Sequence, residues 1–260
     1  MDPNKRVRRR QFLKMLSASS IAFGLSSEFL PQKILFAQQN KNIQPKEVSN
    51  INATQSNSTA FMTNNTLYKN LRYSNLIGSL KDFSAAQIRF HLIYYKRCCD
   101  KLKALEETKD SIDLSSSDPL ESPWRDYLLS VLDLRNKVLL HDLYFSCLSP
   151  INDSITTPLK NNIENSFGSL DQWWIEFKAT AMSIRAWAVF AWDTSSKKLI
   201  NFGLDYDTQF PVGIIPLLVI DVHEHAYVID YPGDRLSYLD AFYKNISWTT
   251  LNNRFKQIKI

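Results

Sequence analysis

Residues 221–231 are Asp221-Val222-His223-Glu224-His225-Ala226-Tyr227-Val228-Ile229-Asp230-Tyr231. They overlap the end of the apolar run Leu217–Val222, and a continuous run of this kind is typical of a buried central strand. The strand would end on one carboxylate and two imidazoles, which are groups that iron, manganese and zinc accept as ligands. The segment therefore predicts a buried strand that carries metal ligands at its carboxyl end.

His91 lies on a predicted helix in the first half of the chain. Ser84-Ala85-Ala86-Gln87 has the pattern of a capping box, in which the Ser84 hydroxyl accepts a helical amide and the Gln87 side chain reaches back. Apolar residues recur at helical spacing after it, so we expect a helix over Ala85–Glu107.

A second helix, which carries His141, is expected to begin near Pro123 and to end before Pro150. A serine- and proline-bearing loop joins the two helices, which should therefore pack as an antiparallel hairpin. If His91 and His141 lie at the same height in the hairpin, they can meet the Asp221–His225 turn. That would give a site with three nitrogen ligands and one oxygen ligand, whereas any single histidine could equally be an ordinary core or surface residue.

The second half of the chain predicts a mixture of helices and short strands. Phe167–Leu170 precedes an aromatic-rich helix that runs through Trp173, Trp174, Phe177 and Trp187, and a final helix is expected over Tyr238–Phe255. Strands are predicted at Ala188–Trp192, Leu199–Phe202 and Leu217–Val222. The fold class is therefore α+β, with an N-terminal antiparallel helical hairpin over 67–150 and an α/β domain with a small antiparallel sheet over 151–260.

The composition excludes some classes of protein. At 44% hydrophobic and 22% charged residues the chain has an average globular composition, and its 6 glycines argue against a Rossmann-type enzyme or a glycine-rich phosphate loop. The net charge of +5 lies within residues 1–37, which hold seven basic and two acidic side chains and leave 24 of each sign in the rest. A neutral remainder gives no support for a nucleic-acid partner.

The N-terminal segment has the features of an export signal. Arg9-Arg10-Gln11-Phe12-Leu13-Lys14 resembles the twin-arginine motif R-R-x-F-L-K, and the apolar stretch Met15–Leu30 is too short and too polar to span a bilayer comfortably. We expect a signal peptide over 1–37, a flexible polar linker over 38–66, no membrane span in the mature chain, and a periplasmic or otherwise exported bacterial protein that uses the twin-arginine export machinery. The alternative is a basic tail that binds anions.

Residues 67–260 resemble the iron/manganese superoxide dismutase family. Residues 221–231 resemble its signature D-x-W-E-H-A-Y-Y-x-D-Y, and Ser84–His91 resembles the family's S-A-E-T-L-E-F-H. His141–Pro150 resembles H-T-F-Y-W-N-C-L-A-P, and Phe167–Ser169 matches F-G-S. The order and spacing of these segments hold across the whole range.

This resemblance implies an enzyme that converts superoxide to oxygen and hydrogen peroxide at one iron or manganese ion per subunit. The metal ligands that it carries over are His91, His141, Asp221 and His225. Glu224 matches a glutamate that pairs with the ligand histidine of the other subunit, which implies a homodimer through Glu224 and His225.

The sequence departs from the family around the ligands. His223 stands where the family has a tryptophan, and Tyr95 where it has a histidine on the first helix. The substrate-funnel tyrosine is replaced by Cys98 or Cys99, and the tyrosine that contacts the other subunit by Val228. Lys137 replaces the glutamine of iron-type members. For the manganese-type glutamine, only Gln209 is roughly in place. Losing such partners typically costs ~10–100-fold in metal affinity or activity. We therefore expect bound metal with impaired turnover, and we take Cys99, Tyr95, His223 and Lys137 as the residues that tune the site.

The metal and the activity leave alternatives open. Iron is favoured over manganese because Tyr144, Cys147 and Ile229–Tyr231 resemble iron-type members, although Lys137 removes their main marker. The first alternative to an active dismutase is a metal-binding relative without turnover, such as a sensor, a metal store or a partner of another exported protein. The second is a structural descendant that binds no metal.

The chain has three cysteines, so at least one thiol must be free. Cys98 and Cys99 are adjacent on a predicted helix and cannot easily bond to each other. Cys98 follows His91, and Cys147 follows His141, by ~9–10 Å along their helices. Because the helices are antiparallel, the two cysteines lie in opposite directions from the histidines, and their Cα atoms are farther apart than the ~7 Å that a disulfide allows. We therefore predict three free thiols.

Overall fold

A computed structural model describes residues 72–258, and the predicted signal peptide, the linker and the domain start near Leu67 lie outside the described residues. The helices are α1 (Ala85–Glu107), α2 (Pro123–Ser146), α3 (Thr157–Phe167), α4 (Leu170–Ser183), α5 (Arg235–Tyr243) and α6 (Trp248–Lys256). The strands are β1 (Trp187–Asp193), β2 (Lys198–Leu204) and β3 (Ile214–Asp221). A helical hairpin followed by helices around a small antiparallel sheet confirms the predicted α+β class.

Helices α1 and α2 form the expected hairpin, and α1 has the bounds that its cap predicts. The Ser84 hydroxyl accepts a hydrogen bond from the Gln87 amide, and the Ser122 hydroxyl does the same for the Arg125 amide at the start of α2. Side-chain caps satisfy amides that a helix leaves unpaired, so both starting points are encoded locally. The buried faces of the two helices carry His91 and His141.

The prediction that the Gln87 side chain reaches back to the start of α1 is wrong. Gln87 is fully buried, and its amide group donates to the His225 carbonyl and accepts from the Ile229 amide at 2.9 Å each. The Ser84 amide donates instead to the Asp230 carboxylate at 2.7 Å. A buried amide must satisfy both its donor and its acceptor, and only the 225–229 segment offers a partner for each. Gln87, in the first turn of α1, thus ties the helix to the turn that bears His225.

The aromatic-rich helix ends earlier than the sequence predicts. Helix α4 stops at Ser183 because Ile184 is extended, with φ −119° and ψ 170°, and Trp187 is the first residue of β1. Helix α3 was not among the elements that the sequence predicted. The final predicted helix is two helices, since the Ser247 amide donates to the Cys147 carbonyl at 2.7 Å and the Ser247 side chain caps α6.

The strand order is β2-β1-β3, so the prediction that Leu217–Val222 is a central strand is wrong. Strand β3 lies at an edge, yet its residues from Leu217 to Asp221 are fully buried. Helix α6 covers this edge, because the Arg254 guanidinium donates to the Leu217 carbonyl at 2.7 Å. An apolar run indicates that both faces of a strand are covered, but it does not indicate how many strands pair with it.

The antiparallel register brings Trp187 opposite Asp221. The first residue of the central strand therefore lies beside the last residue of β3, at the end of the sheet that meets the hairpin. Among residues 72–258, no helix combines the length and the apolar character that a membrane span requires.

All three cysteines are free, as the helical geometry predicts. Cys98 and Cys147 are buried and Cys99 is half-buried. The Cys147 sulphur lies 3.0 Å from the Arg254 guanidinium and 3.6 Å from the Leu217 carbonyl, within the packing of α2, α6 and β3.

Gly203 on β2 has a steric role that a substitution can test. A Cβ atom at this position would lie 2.3 Å from Cγ2 of Ile184 and 3.1 Å from its Cβ, which is closer than van der Waals contact allows. Gly203→Ala is therefore expected to lower the free energy of unfolding by about 1–3 kcal/mol, measured by urea denaturation. Adding Ile184→Ala should recover part of the loss, and an unchanged urea midpoint in Gly203→Ala would contradict the expected clash.

Candidate metal centre

Four elements each deliver one side chain to a common point. His91 comes from the second turn of α1, His141 from the last two turns of α2, Asp221 from the end of β3, and His225 from the 3-10 turn Glu224–Ala226. One potential ligand atom from each residue lies within 4.8 Å of all the others. His91, His141 and Asp221 are buried, whereas the side chain of His225 is 19% exposed. Because the cluster reaches solvent through His225, a small solute would approach from that side.

Oxygen Oδ2 of Asp221 is the point on which the three imidazoles converge. It lies 3.0 Å from Nε2 of His91, 3.4 Å from Nε2 of His141 and 3.0 Å from Nε2 of His225. Three imidazole nitrogens and one carboxylate oxygen form a donor set that suits iron, manganese and zinc.

The tautomer of His141 shows that this set fits a cation. Its Nδ1 lies 2.7 Å from the Lys137 carbonyl, which can only accept, so Nδ1 must carry the proton. In the neutral ring Nε2 then bears a lone pair directed at Asp221, and it has no hydrogen-bond partner. Two acceptors that face each other in a buried site repel unless a cation lies between them. An imidazole whose other nitrogen donates to a carbonyl is also the usual arrangement of a metal-bound histidine.

Burial keeps these imidazoles neutral. It lowers the pKa of His141 to about 3 and lowers the pKa of His91 as well, although the Asp221 carboxylate opposes both shifts. Burial alone would raise the pKa of Asp221, but hydrogen bonds with His223, His225 and His91 hold it well below its usual range. His91, His141 and Asp221 therefore have their metal-binding protonation states over the neutral pH range.

His223 holds the carboxylate oxygen that the other histidines do not use. Its backbone amide donates to Oδ1 of Asp221 at 2.9 Å, and its ring Nδ1 lies 2.8 Å from the same oxygen. Burial lowers the pKa of His223, but the bond to Asp221 outweighs that effect and raises it, which is consistent with Nδ1 as the donor. With Oδ1 occupied, Asp221 presents Oδ2 alone to the centre.

Tyr95 and Cys99 lie on the α2 side of the cluster. The Tyr95 ring is parallel to the His141 ring within 12° at 5.9 Å between centroids, and its hydroxyl donates to Oδ1 of Asp142 at 3.1 Å. Cys99 is the hydrogen-bond neighbour of Tyr95. Cys98, the preceding residue of α1, is among the groups that interact electrostatically with Lys137 of α2.

Lys137 does not direct its ammonium group at the cluster. Its Nζ lies 2.6 Å from Asp133 and 3.7 Å from Asp207, and its contact with His141 is made through the backbone carbonyl. Gln209 is not at the site either, because its side chain accepts the Asp205 and Tyr206 amides and closes the turn Asp207–Gln209.

Three residues around the cluster were missed by the sequence reasoning. The Tyr94 ring stacks on His225 with 4.1 Å between centroids. The Trp187 indole lies edge-on to His141 at 4.9 Å and to His223 at 5.7 Å, and it donates to the buried Asp207 carboxylate at 2.8 Å. Tyr94 could have been found from its spacing, since positions three apart on a helix share a face with His91. No local pattern links Trp187 to Asp207.

Comparisons with known proteins agree with this arrangement. The family model described as iron/manganese superoxide dismutases, C-terminal domain, matches residues 155–254. "Superoxide dismutase [Fe]" of Aquifex pyrophilus is 36% identical over 185 residues, which cover 69% of this chain and 87% of that protein. "Superoxide dismutase [Fe]" of Mycobacterium tuberculosis is 30% identical over 191 residues, which cover 68% of this chain and 87% of that protein. "Superoxide dismutase [Mn]" of Mycobacterium kansasii is 32% identical over 167 residues, with 62% and 96% covered. The chain belongs to the iron/manganese superoxide dismutase family.

Proposed function

We propose that this protein is a superoxide dismutase that binds one iron or manganese ion through His91, His141, Asp221 and His225. The observation that carries the proposal is the lone pair of His141 Nε2, which faces Oδ2 of Asp221 at 3.4 Å without a hydrogen-bond partner. The names of the related dismutases indicate the reaction, and iron and manganese both accept this set of ligands.

A bound ion would supply one-electron redox chemistry, by which one superoxide would be oxidised to oxygen and a second, with two protons, would be reduced to hydrogen peroxide. Three neutral imidazoles and one carboxylate contribute a single negative charge. With either a divalent or a trivalent ion the site would therefore carry a net positive charge, which would attract an anionic substrate. Three of the four ligands are buried, which limits the contact of the site with solvent.

Substrate access is expected beside His225, where the cluster meets solvent. The side chains of His225 and His223 are 19% and 33% exposed, whereas those of His91 and His141 are at most 1% exposed. Tyr94, which stacks on His225, is half-buried at the same place. These three side chains would line the approach of a diatomic anion.

Iron is the metal that we propose first, because the relative with the highest identity of the three described above, at 36%, carries the iron name. Manganese remains the alternative, since the next one, at 32% identity, carries that name. The test is metal analysis of the purified protein, followed by separate reconstitution with each ion. Higher turnover of the iron form supports the assignment, and turnover confined to the manganese form contradicts it.

A metal-binding protein with impaired or lost turnover is the second candidate. It is favoured by Lys137, whose ammonium group is bonded to Asp133 at 2.6 Å and offers the centre no side-chain partner. Superoxide consumption and metal content measured on one preparation separate the two candidates. Full turnover comparable to the named dismutases removes the second candidate, and stoichiometric metal without turnover removes the first.

A homodimer through Glu224 and His225 is also proposed. Glu224 is exposed beside the cluster. The apolar side chains of Val228 and Ile229, which follow it in sequence, are exposed as well, and so is that of Phe90 on α1. Exposed apolar patches are typical of subunit interfaces. Light scattering of the purified protein should give twice the chain mass, and Glu224→Ala should shift the equilibrium towards the monomer.

Export by the twin-arginine machinery to the periplasm, or otherwise out of the cytoplasm, is proposed from Arg9-Arg10-Gln11-Phe12-Leu13-Lys14. Such export moves folded proteins, which suits a protein that acquires its metal before export. Arg9→Lys with Arg10→Lys should leave the unprocessed chain in the cytoplasmic fraction. Unchanged processing of that double variant would contradict the proposal.

A further inference from the structure

The Asp207 carboxylate is buried next to the metal centre and belongs to no group of predicted ligands. Only 7% of the residue is exposed, and it begins the 3-10 turn Asp207–Gln209 between β2 and β3. Buried carboxylates are rare unless they are paired and hydrogen-bonded. Its partners therefore indicate what it does.

Its first partner is the indole of Trp187. The indole nitrogen is fully buried and donates to Oδ1 of Asp207 at 2.8 Å, a charge-assisted bond that fixes the ring plane. That plane is set edge-on to His141 and to His223, with centroid distances of 4.9 and 5.7 Å. The indole thus packs against His141 of the cluster and against His223, which holds Oδ1 of Asp221.

Asp207 also contacts one turn of α2, through its backbone carbonyl and its carboxylate. The Asn136 side chain donates to the Asp207 carbonyl at 2.8 Å, and Lys137 Nζ lies 3.7 Å from Oδ2 of Asp207. The Lys137 carbonyl is the acceptor that fixes the tautomer of His141 at 2.7 Å. Through its carboxylate, Asp207 therefore holds the ring that packs on His141 and pairs with Lys137. Its backbone carbonyl holds the same turn of α2 through Asn136, and side-chain variants leave that bond in place.

We propose that Asp207 is a positioning residue for the metal centre, which acts by fixing the Trp187 indole and the Asn136–Lys137 turn around His141. The inference rests on the proposed metal site for its effect on binding, but the hydrogen bond to Trp187 can be tested without metal. Its role is geometric, because the carboxylate makes no contact with the four candidate ligands.

The experiment compares Asp207→Ala, Asp207→Asn and Asp205→Ala with the unaltered protein. Asn keeps an oxygen that can accept from Trp187, whereas Ala leaves the indole nitrogen without a partner. Asp205 is the matched control, since it is an exposed aspartate of the same loop whose side chain accepts only the Arg185 amide. The first measurement is the indole proton resonance of Trp187 in metal-free, nitrogen-15-labelled protein, and the second is the affinity for manganese(II) in competition with a chelator.

In Asp207→Ala the Trp187 resonance is expected to shift upfield and to exchange faster with solvent, and the manganese(II) affinity is expected to fall ~10–100-fold. Asp207→Asn should largely retain both properties, and Asp205→Ala should match the unaltered protein. Asp207→Glu moves the acceptor by one methylene and should also lower the affinity, so it decides the question if the alanine variant does not fold. Unaltered affinity in the alanine and glutamate variants would overturn the positioning role.

The failure of the proposed function is a separate outcome. If the unaltered protein binds no manganese(II) and no iron, the metal site is wrong. The indole resonance then decides the role of Asp207 alone, because a resonance that stays in place in Asp207→Ala overturns it and a shifted one supports it.

Discussion

His225→Ala is expected to abolish stoichiometric metal binding and to reduce superoxide consumption to the background rate. The substitution removes one of three nitrogens that converge on Asp221 Oδ2, at 3.0 Å, and opens the cluster on its exposed side. The fold should survive, because the His225 side chain is already 19% exposed and its truncation leaves little cavity. Metal analysis by mass spectrometry and an activity assay on the same preparation measure the result.

His223→Gln is the matched comparison for that variant. His223 is the other imidazole of the same turn, and it contacts Oδ1 of Asp221 rather than the point of convergence. A glutamine can still donate to Oδ1, so this variant should bind metal with at most a reduced affinity. Stoichiometric metal in His225→Ala would show that His225 is not a ligand, and equal losses in the two variants would show that the turn acts only through its folding.

The metal-free protein is expected to lose stability steeply as the pH falls from about 6.5, the ordinary pKa of histidine, towards the pKa of about 3 that burial gives His141. Between these values the unfolded chain binds a proton that folded His141 does not bind. The stability contribution is complete above the unfolded pKa and is lost on acidification, by ~1.4 kcal/mol per pH unit for each such group. His91 acts in the same direction, because burial also lowers its pKa.

Two other groups decide the shape of that pH profile. Asp221, whose folded pKa lies well below its usual range, loses its contribution only at still lower pH. His223 acts in the opposite direction, since its raised pKa gives a contribution that is present in acid and is lost as the pH rises through its folded pKa. Two buried imidazoles outweigh one partly exposed imidazole, so the net effect between pH 7 and 4 is destabilisation on acidification.

Urea denaturation of chelator-treated protein at several pH values from 7.5 to 4 measures this effect, and His141→Gln is the control. That variant lacks one titrating group, so its stability should depend less steeply on pH. The metal-loaded protein should release its ion over the same acidic range, because protons compete for the same lone pairs. A stability that stays flat down to pH 4 would contradict the burial of neutral imidazoles.

The starts of the two long helices could be predicted because their signals are local. Ser84 and Ser122 cap amides three residues away, and Pro123 suits a first turn. The apolar run of β3 predicted burial correctly, but a run of side chains contains no information about backbone pairing. At the edge of the sheet, the Leu217 carbonyl of β3 accepts from Arg254, which lies 37 residues away along the chain.

The sequence by itself determined the kinds of ligand at the centre and the helices and strand that carry them. It also determined the family resemblance, because motif order and local spacing are properties of the chain. Only the tertiary structure decided which atoms converge, with Oδ1 of Asp221 held by His223 and Oδ2 left for the other histidines. It also decided that Gln87 bonds to a carbonyl 138 residues away and that Trp187 bonds to Asp207. Such bonds form where packing leaves a buried polar atom one available partner, and no spacing along the chain specifies that partner.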